Sequence, residues 1–454
     1  MSIGRKKDVE KQQDTIFAEA TASGRGAISI FRISGPRARA AIELMSGRRV
    51  PDARRAAVRR LMHPETDDLL DEAVVLWLPG PASFTGEDMV ELHCHGGGAV
   101  RSAVIGGLGA ISAFRPAEPG EFSKRAFFAG RLDLTRAEGI NDLVAADTDQ
   151  QRRQALRQMG GALSTLCDDW RSRLIAALAH VEAEIDFVDE PLPAELLANV
   201  RSDVADLVGA IEVHLADSHR GERLRDGLSV AIVGPPNAGK SSLINMLAKR
   251  EAAIVSDIAG TTRDVVEVHM DLDGLPVSLS DTAGIRDAAG EIEQEGVRRS
   301  LQAANAADIR LVVLDGRTWP IIDADVEALV DDASVVVVNK MDVVEGPKSG
   351  EIGGRAVRFM SCLSGEGVDD LMSELTSLLN ERYGVRDSVV FTRERHRAAL
   401  VECRRAMTRF LEGGSVELAA EDLRLAARAL GRMTGRVDVE ELLDVIFRDF
   451  CIGK

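Results

Sequence analysis

The stretch Gly234-Pro-Pro-Asn-Ala-Gly-Lys-Ser241 has the composition and spacing of a phosphate cradle. Its glycines let backbone N–H groups turn toward an anion. Lys240 can reach the outer phosphates, and Ser241 can offer a hydroxyl to Mg2+. The apolar run Leu228–Val233 before it reads as a buried strand, and Lys240-Ser241-Ser242 opens a helix. Asn237, Ala238, Gly239, Lys240, Ser241 and Ser242 are therefore expected to surround a nucleoside triphosphate.

Two further strings specify the nucleotide. Asp281-Thr282-Ala283-Gly284 follows the apolar run Val277–Ser280, where a Mg2+-proximal acid and a γ-phosphate-sensing glycine belong. Asn339-Lys340-Met341-Asp342 follows Ser334–Val338. The carboxylate of Asp342 can accept two hydrogen bonds from the guanine ring N–H and amino group, a donor pair that adenine lacks. An unmatched acid there is costly, so the choice of base is sharp. Ser361-Cys362-Leu363 sits where a loop can back the guanine carbonyl. Between the cradle and Asp281 lies Ser256-Asp257-Ile258-Ala259-Gly260-Thr261-Thr262-Arg-Asp264. There Thr262 is the natural second hydroxyl for Mg2+, and Gly260 permits the turn that delivers it. The ligand read from these strings is GTP with Mg2+.

Ile285 occupies the position directly after Asp281–Gly284 where many such switches carry Gln, and Ile can neither orient nor activate water. The loop from Arg286 to Glu295 holds Asp287, Glu291, Glu293 and Glu295. One of these acids can position the attacking water, or all four form a solvated rim. The side-chain carbonyl of Asn237, together with carbonyls from 256–261, could hold a monovalent cation where positive charge assists the transition state.

At 454 residues the chain exceeds one core. It reads as multidomain: 1–130 α+β, 131–226 helical, 227–384 an α/β phosphate-loop domain, and 385–454 helical again. Alternating β-like runs at Gly26–Arg32 and Asp71–Leu78 mark the first part. Leu156, Met159, Leu163, Leu166, Trp170, Leu174, Leu178, Val181 and Ile185 form a stripe at helical spacing, broken near Gly160-Gly161. A further helix is expected from Ala194 to about Leu215, and Asp438 with Glu441 resembles a capping box. Helices on both sides of the α/β block predict its insertion into a helical domain; two separate helical domains are the alternative.

The formal charge of −17 speaks against a surface uniformly suited to nucleic acid but leaves room for a local basic patch. One Tyr and three Trp make a broad base-stacking platform improbable. Five scattered cysteines without a Cys-x-x-Cys pair fit a reducing cytosol. No apolar run is long enough for a bilayer, and no secretory leader is read at the N-terminus, so a cytoplasmic location is expected. His93-Cys-His95 lacks a second ligand pair at zinc spacing and reads as packed strand.

From end to end the chain resembles the MnmE/TrmE family of tRNA-uridine modification GTPases. The resemblance rests on Gly24-Arg-Gly26, Phe84-Thr-Gly-Glu-Asp88, Pro119-Gly-Glu-Phe-Ser123, Arg131-Leu-Asp-Leu134, Gly234–Ser241, Asp257–Asp264, Asp281–Arg286 and the closing Cys451-Ile-Gly-Lys454. It implies a homodimer with an N-terminal tetrahydrofolate-binding domain, a helical domain and an inserted Ras-like G domain. In the family, G domains pair across their nucleotides when K+ is bound, which stimulates hydrolysis. On matching positions Asn237, Ser256, Ile258 and Thr261 would ligate K+, and Ser241 and Thr262 would address Mg2+. Glu293 would orient the hydrolytic water, with Arg286 a switch residue. Arg32, Glu87 and Arg131, with Lys454 nearby, would contact 5-formyl- or 5,10-methylene-tetrahydrofolate. Arg131 stands where the family usually has Lys, which replaces a compact ammonium by a planar fork. Cys451 would be the family's catalytically linked thiol; read alone it is a lone cysteine near a charged terminus that could simply be packed.

The implied function is a K+-stimulated GTPase acting on tRNA with an FAD-dependent partner of the MnmG/GidA type in a heterotetramer or larger assembly. Together they would install aminomethyl or carboxymethylaminomethyl groups at C5 of wobble uridine 34. The rival readings are a ribosome-assembly GTPase switch without modification chemistry and a folate enzyme with a regulatory G module.

Overall fold

The computed structural model describes residues 14–22, 24–186, 194–250, 253–254, 267–281, 305–344, 348–384, 391–437, 443, 446–448 and 450–453. The chain divides into two compact units. One comprises 1–141, 158–171 and 427–454, and the other 142–157 and 172–426.

In the first unit, β1 (Thr15–Glu19), β2 (Ile28–Ser34), β3 (Ala57–Met62), β4 (Leu69–Leu78), β5 (Met89–His95) and β6 (Phe114–Pro116) form a sheet ordered β3-β4-β5-β2-β1-β6. All neighbours are antiparallel except β1 and β6, which run parallel. Period-two alternation sends Ala73, Val75 and Trp77 of β4 to one face. There they join Phe31, Ile33, Leu92 and Leu108 in a core with Ile42 and Met45. These last two belong to α1 (Ala38–Ser46), and Leu108 to α2 (Gly98–Gly109). Burying each such side chain stabilises the fold by about 1.5–3 kcal/mol. Then follow α3 (Glu121–Phe128) and α4 (Leu134–Val144). Leu134 and Ala137 pack with Leu443, Phe447 and Phe450, so this unit's core includes the end of the chain.

The break expected at Gly160-Gly161 separates α5 (Asp149–Met159) from α6 (Ala162–Asp186). Along α6 the buried line is Leu163, Cys167, Trp170, Leu174, Ala177 and Val181, alternating steps of four and three. Leu156 does not continue it. That side chain is exposed, and α5 buries Gln154, Ala155 and Gln158 instead. Gln158 is satisfied by donating to Thr135 O at 2.9 Å, which lets an amide occupy a core position. The next helix, α7, runs Ala194–Asp226, well past Leu215. The polar Ser218-His-Arg-Gly221 stretch does not end it, because Ser218 Oγ donates back to Leu215 O, and Leu224 beyond it is core. Gly227, at φ 91°, ends the helix.

The second sheet contains β7 (Leu228–Val233), β8 (Ala253–Ile254), β9 (Glu267–Leu272), β10 (Leu275–Asp281), β11 (Ile309–Asp315), β12 (Ser334–Asn339), β13 (Glu351–Ile352) and β14 (Arg355–Phe359). Their order is β13-β14-β12-β11-β7-β10-β9-β8, with β14, β12, β11, β7 and β10 parallel. Every residue of β12 is buried, as a sheet covered on both faces requires. Val335 and Val337 face the core that contains Leu243, Leu247, Leu371 and Leu375, while Val336 and Val338 face the other. The first core is lined by α8 (Lys240–Leu247) and α10 (Val368–Tyr383), and the short α9 (Ala324–Glu327) precedes β12. Sequence reading missed the antiparallel β9–β10 hairpin, which turns at Asp273 and Gly274, both at positive φ. Finally come α11 (Glu394–Glu412) and α12 (Val416–Thr434). The helices before and after the α/β block, α7 and α11, pack against each other. Arg397 of α11 bonds Glu222 of α7 at 3.2 Å.

Candidate functional site

The phosphate cradle is set by two close backbone approaches. Gly234 ends β7 at φ 141°, and a Cβ there would lie 2.0 Å from Val313 O of β11. Only glycine lets the chain leave the sheet at this point. Gly239, at φ 98°, would bring a Cβ within 2.1 Å of Asn339 Nδ2. Positive φ at both Asn237 and Gly239 turns the loop amides inward, a nest for an anion at the start of α8. Lys240 is buried, and its Nζ donates to Gly234 O and Pro235 O, each at 2.9 Å. Asn237, Ser241 and Ser242 are exposed around the cradle, as metal and phosphate ligands must be.

The loops expected to meet the base are tied to this cradle by Asn339. Its Nδ2 donates to Ala238 O at 2.9 Å, and its Oδ1 accepts from Cys362 N at 3.0 Å. Lys340, at φ 64°, donates to Asn237 O and to Asp315 Oδ2, both at 2.6 Å. Burial pushes the Asp315 carboxyl up, but Lys340 and the Arg317 amide hold it below the ordinary aspartate value. Ser361 is buried, and its hydroxyl oxygen accepts from Leu363 N and Ser364 N while its proton goes to Asp342 Oδ1 at 2.7 Å. Asp342 itself is exposed and held by that hydroxyl. The thiol of Cys362 is raised by burial, which suits a packing role. The residues present thus fit a nucleotide with its phosphates over α8 and its base beside Asp342.

Asp281 ends β10 one register step beyond Ser280, paired with Ile232 of the cradle strand. Its side chain lies outside the described residues. So do Ser256, Asp257, Ile258, Ala259, Gly260, Thr261, Thr262, Thr282, Ala283, Gly284, Arg286, Glu293 and Lys454. The expected capping pair Asp438 and Glu441 lies outside them too.

A second cluster stands in the first unit. Arg32 on β2 bonds Glu91 of β5 through Nε at 3.2 Å and Nη2 at 3.1 Å, and lies 5.7 Å from the Phe84 ring centre. Its Nη1 donates to Gly453 O at 3.3 Å, which brings the chain's last residues to the proposed folate contact. Gly453 makes that approach possible, since a Cβ would lie 2.6 Å from Glu19 O. Cys451 is exposed, and its carbonyl accepts from Gly120 N at 3.4 Å. Glu87 Oε2 accepts from Ser34 Oγ at 2.8 Å and from the buried Arg125 at 3.0 Å. Arg125 also bonds Glu121 at 3.1 Å, and Arg115 grips Glu121 with two hydrogen bonds. Burial pushes Glu121 up, yet Arg115, the Glu118 amide and Arg125 together hold it below the ordinary value. Arg131 is exposed, its Cγ 3.4 Å from where a Gly86 Cβ would stand.

Sequence reading missed Arg125, Glu121 and Ser34 around Glu87, and Asp315 beneath Lys340. The signal for the first was the i, i+4 pair Glu121–Arg125 at the Pro119–Ser123 string. For Asp315 it was an acid closing a largely apolar strand. On β5, His95 Nδ1 lies 2.8 Å from Asp71 and His93 Nε2 3.4 Å from Glu91. Between them the Cys94 thiol is pushed up to about 12 by burial and by Asp71.

Residues 15–131 match the model of the GTP-binding protein TrmE N-terminus, and 134–451 match that of the MnmE helical domain. The chain is 54% identical over 441 residues to a tRNA modification GTPase MnmE of Paramagnetospirillum magneticum, covering 97% of this chain and 100% of that one. It is 53% identical over 445 residues to the protein of the same name from Parvibaculum lavamentivorans, covering 97% and 100%. To the mitochondrial 5-taurinomethyluridine-[tRNA] synthase subunit GTPB3 of Danio rerio it is 45% identical over 467 residues, covering 97% and 93%. With relatives this similar along their whole length, and the Gly234–Ser241 loop tied through Asn339 to the loop that holds Asp342, the chain belongs to the MnmE family of tRNA modification GTPases.

Proposed function

We propose that this chain hydrolyses GTP to drive modification of tRNA at C5 of wobble uridine 34, using a tetrahydrofolate one-carbon unit and an FAD-dependent partner. The carrying observation is the Asn339 bridge, which makes phosphate cradle and base-reading loop one unit. Relatives named for tRNA modification, matched along nearly the whole chain, favour this over a ribosome-assembly switch. Ser241 and Thr262 would hold Mg2+, and Asn237, Ser256, Ile258 and Thr261 would hold K+. Bound there, these cations supply positive charge to the phosphates as negative charge shifts in hydrolysis. Lys240 orients the outer phosphates, and Glu293 positions water for attack.

In the first unit, Arg32, Glu87 and Arg131, with Lys454, would hold the folate. Arg125 and Ser34 both bond Glu87 Oε2, while Oε1, 3.3 Å from Arg125, keeps a lone pair for a pterin amino-pyrimidinone edge. Cys451 stands exposed on the tail that Arg32 anchors through Gly453. The paired α7 and α11 support an arrangement in which a Ras-like G domain at 227–384 is inserted between helical parts 131–226 and 385–454. Nucleotide-driven pairing of G domains in a homodimer would then pull on both helices and reposition folate, partner and uridine. Among the described residues no helix is long and apolar enough to cross a membrane.

The test is mass analysis of position-34 uridines in cells lacking the gene and in cells given it back. Loss and recovery of the 5-substituted forms is expected; unchanged uridines would overturn the reading. In reconstituted material, equal modification with GTP, GDP and a non-hydrolysable analogue would sink the drive by hydrolysis.

A further inference from the structure

Thirteen residues of the first unit, Arg48–Arg60, hold six arginines and a single acid, Asp52, in a chain whose net charge is −17. They form the connection after α1 and most of β3, the edge strand of the sheet. Arg48, Arg49, Arg54, Arg55 and Arg60 are exposed. Elsewhere arginines meet acids: Arg152 and Arg153 share Asp149, Arg409 holds Asp422, Arg424 holds Glu182 and Glu421, and Arg436 holds Asp168. Acids outnumber cations in this chain, 73 to 56, so pairing is the default. Yet none of the six arginines forms an ion pair with any described carboxylate. Arg54 donates to Ala82 O at 2.7 Å and Arg59 to Val58 O at 2.9 Å, contacts that leave their charge uncompensated. The Nε of Arg59 is buried with no partner.

We propose that this arginine-lined edge is the surface that grips the phosphate backbone of the tRNA. The inference rests on the tRNA-modifying function proposed above and adds to it where the RNA lies. Guanidinium forks match phosphate oxygens in pairs, and an acidic protein needs a local basic strip to overcome its long-range repulsion of RNA. With few aromatic side chains in the whole molecule, such a surface holds backbone rather than stacked bases. The competing role for charges on an edge strand is to block pairing with another sheet. That role needs charge of either sign on β3 and accounts for Arg60, but not for Arg48, Arg49 and Arg55 before the strand.

The experiment compares the full-length protein with Arg48→Gln/Arg49→Gln/Arg55→Gln/Arg60→Gln and with the matching four-Lys variant. Each is titrated with an unmodified tRNA transcript across a salt series, with thermal unfolding as the check on folding. The Gln variant should bind at least about tenfold more weakly near 0.1 M salt. Its salt slope should shrink by about 0.7–0.9 for each phosphate contact removed. The Lys variant should keep most of the affinity, and Arg152→Gln/Arg153→Gln should bind like the original. Equal affinity and equal slope in the Gln variant would overturn the proposal, as would self-association of that variant with transcript binding intact. A failure of the unaltered protein, alone and with its partner, to bind the transcript would instead strike the proposed function and this inference together.

Discussion

Asn339→Ala tests the wiring of the nucleotide site most directly. The side chain is 2% exposed and makes two hydrogen bonds, donating to Ala238 O in the cradle and accepting from Cys362 N in the base-side loop. Alanine leaves that carbonyl and that amide without partners. A buried unsatisfied group costs about 1–3 kcal/mol, so the cost to the assembled site is about 2–6 kcal/mol. Part of it is relieved as the two loops separate and reach water, and that separation is what nucleotide binding must reverse. A penalty of about 1–3 kcal/mol on binding weakens GTP and GDP alike by about 5- to 150-fold. Asn339→Asp sharpens the test. It keeps an acceptor for Cys362 N but puts a carboxylate oxygen where Nδ2 stood, 2.9 Å from a carbonyl oxygen. It should therefore bind nucleotide more weakly than the alanine variant, although it is closer in shape. Affinity is read by displacement of a fluorescent guanine nucleotide. Alanine binding within a factor of about two of the original, or aspartate binding better than alanine, would refute the bridge.

Asp342→Asn should lower guanine preference and admit xanthine, whose ring offers the complementary acceptor; unchanged base selectivity would remove Asp342 from base reading. Glu293→Ala should cut turnover far more than GTP affinity, and exchange of K+ for Na+ should slow hydrolysis and weaken G-domain pairing; a normal kcat in either case contradicts that role. Glu121→Gln takes one carboxylate from Arg115 and from the buried Arg125, which keep Asp14 and Glu87, and should cost about 1–3 kcal/mol at neutral pH. Its acid-side behaviour is a second check. The folded carboxyl lies below its ordinary 4.5, so its contribution is full above that value and lost as pH falls through the folded pKa. The variant's unfolding midpoint should accordingly depend less on pH below about 4.5, and an identical acid limb would count against the cluster.

What was legible in the chain was legible because local chemistry dictated it. The strands at 228–233, 309–315 and 334–339 are apolar on both faces, and only a covered parallel sheet accommodates that. Gly234 and Gly239 announced themselves because their positions admit no side chain. The expectation for Asp342 came from its place after β12, and the structure sets that acid beside Ser361. Errors arose where a tertiary partner replaced the local signal. Leu156 fits the helical period but points outward, because Gln158 finds Thr135 O and can be buried in its stead. Helix α7 outran its polar stretch because Leu224 has a core to enter. The second cluster was half legible. Arg32 and Glu87 could be marked by resemblance, but their holders come from far along the chain, Gly453 for one and Arg125 for the other. No periodicity encodes an encounter between residues 32 and 453. It is set by Phe447 and Phe450, which bury against Leu134 and carry the tail back to the first sheet. The terminal residues therefore reach the Arg32 cluster through hydrophobic docking of the segment before them. Weakening that docking by Phe450→Ala should release Gly453 from Arg32 and diminish folate binding without touching a folate-contacting side chain, whereas unchanged folate affinity would show that the tail's anchorage does not shape the cluster.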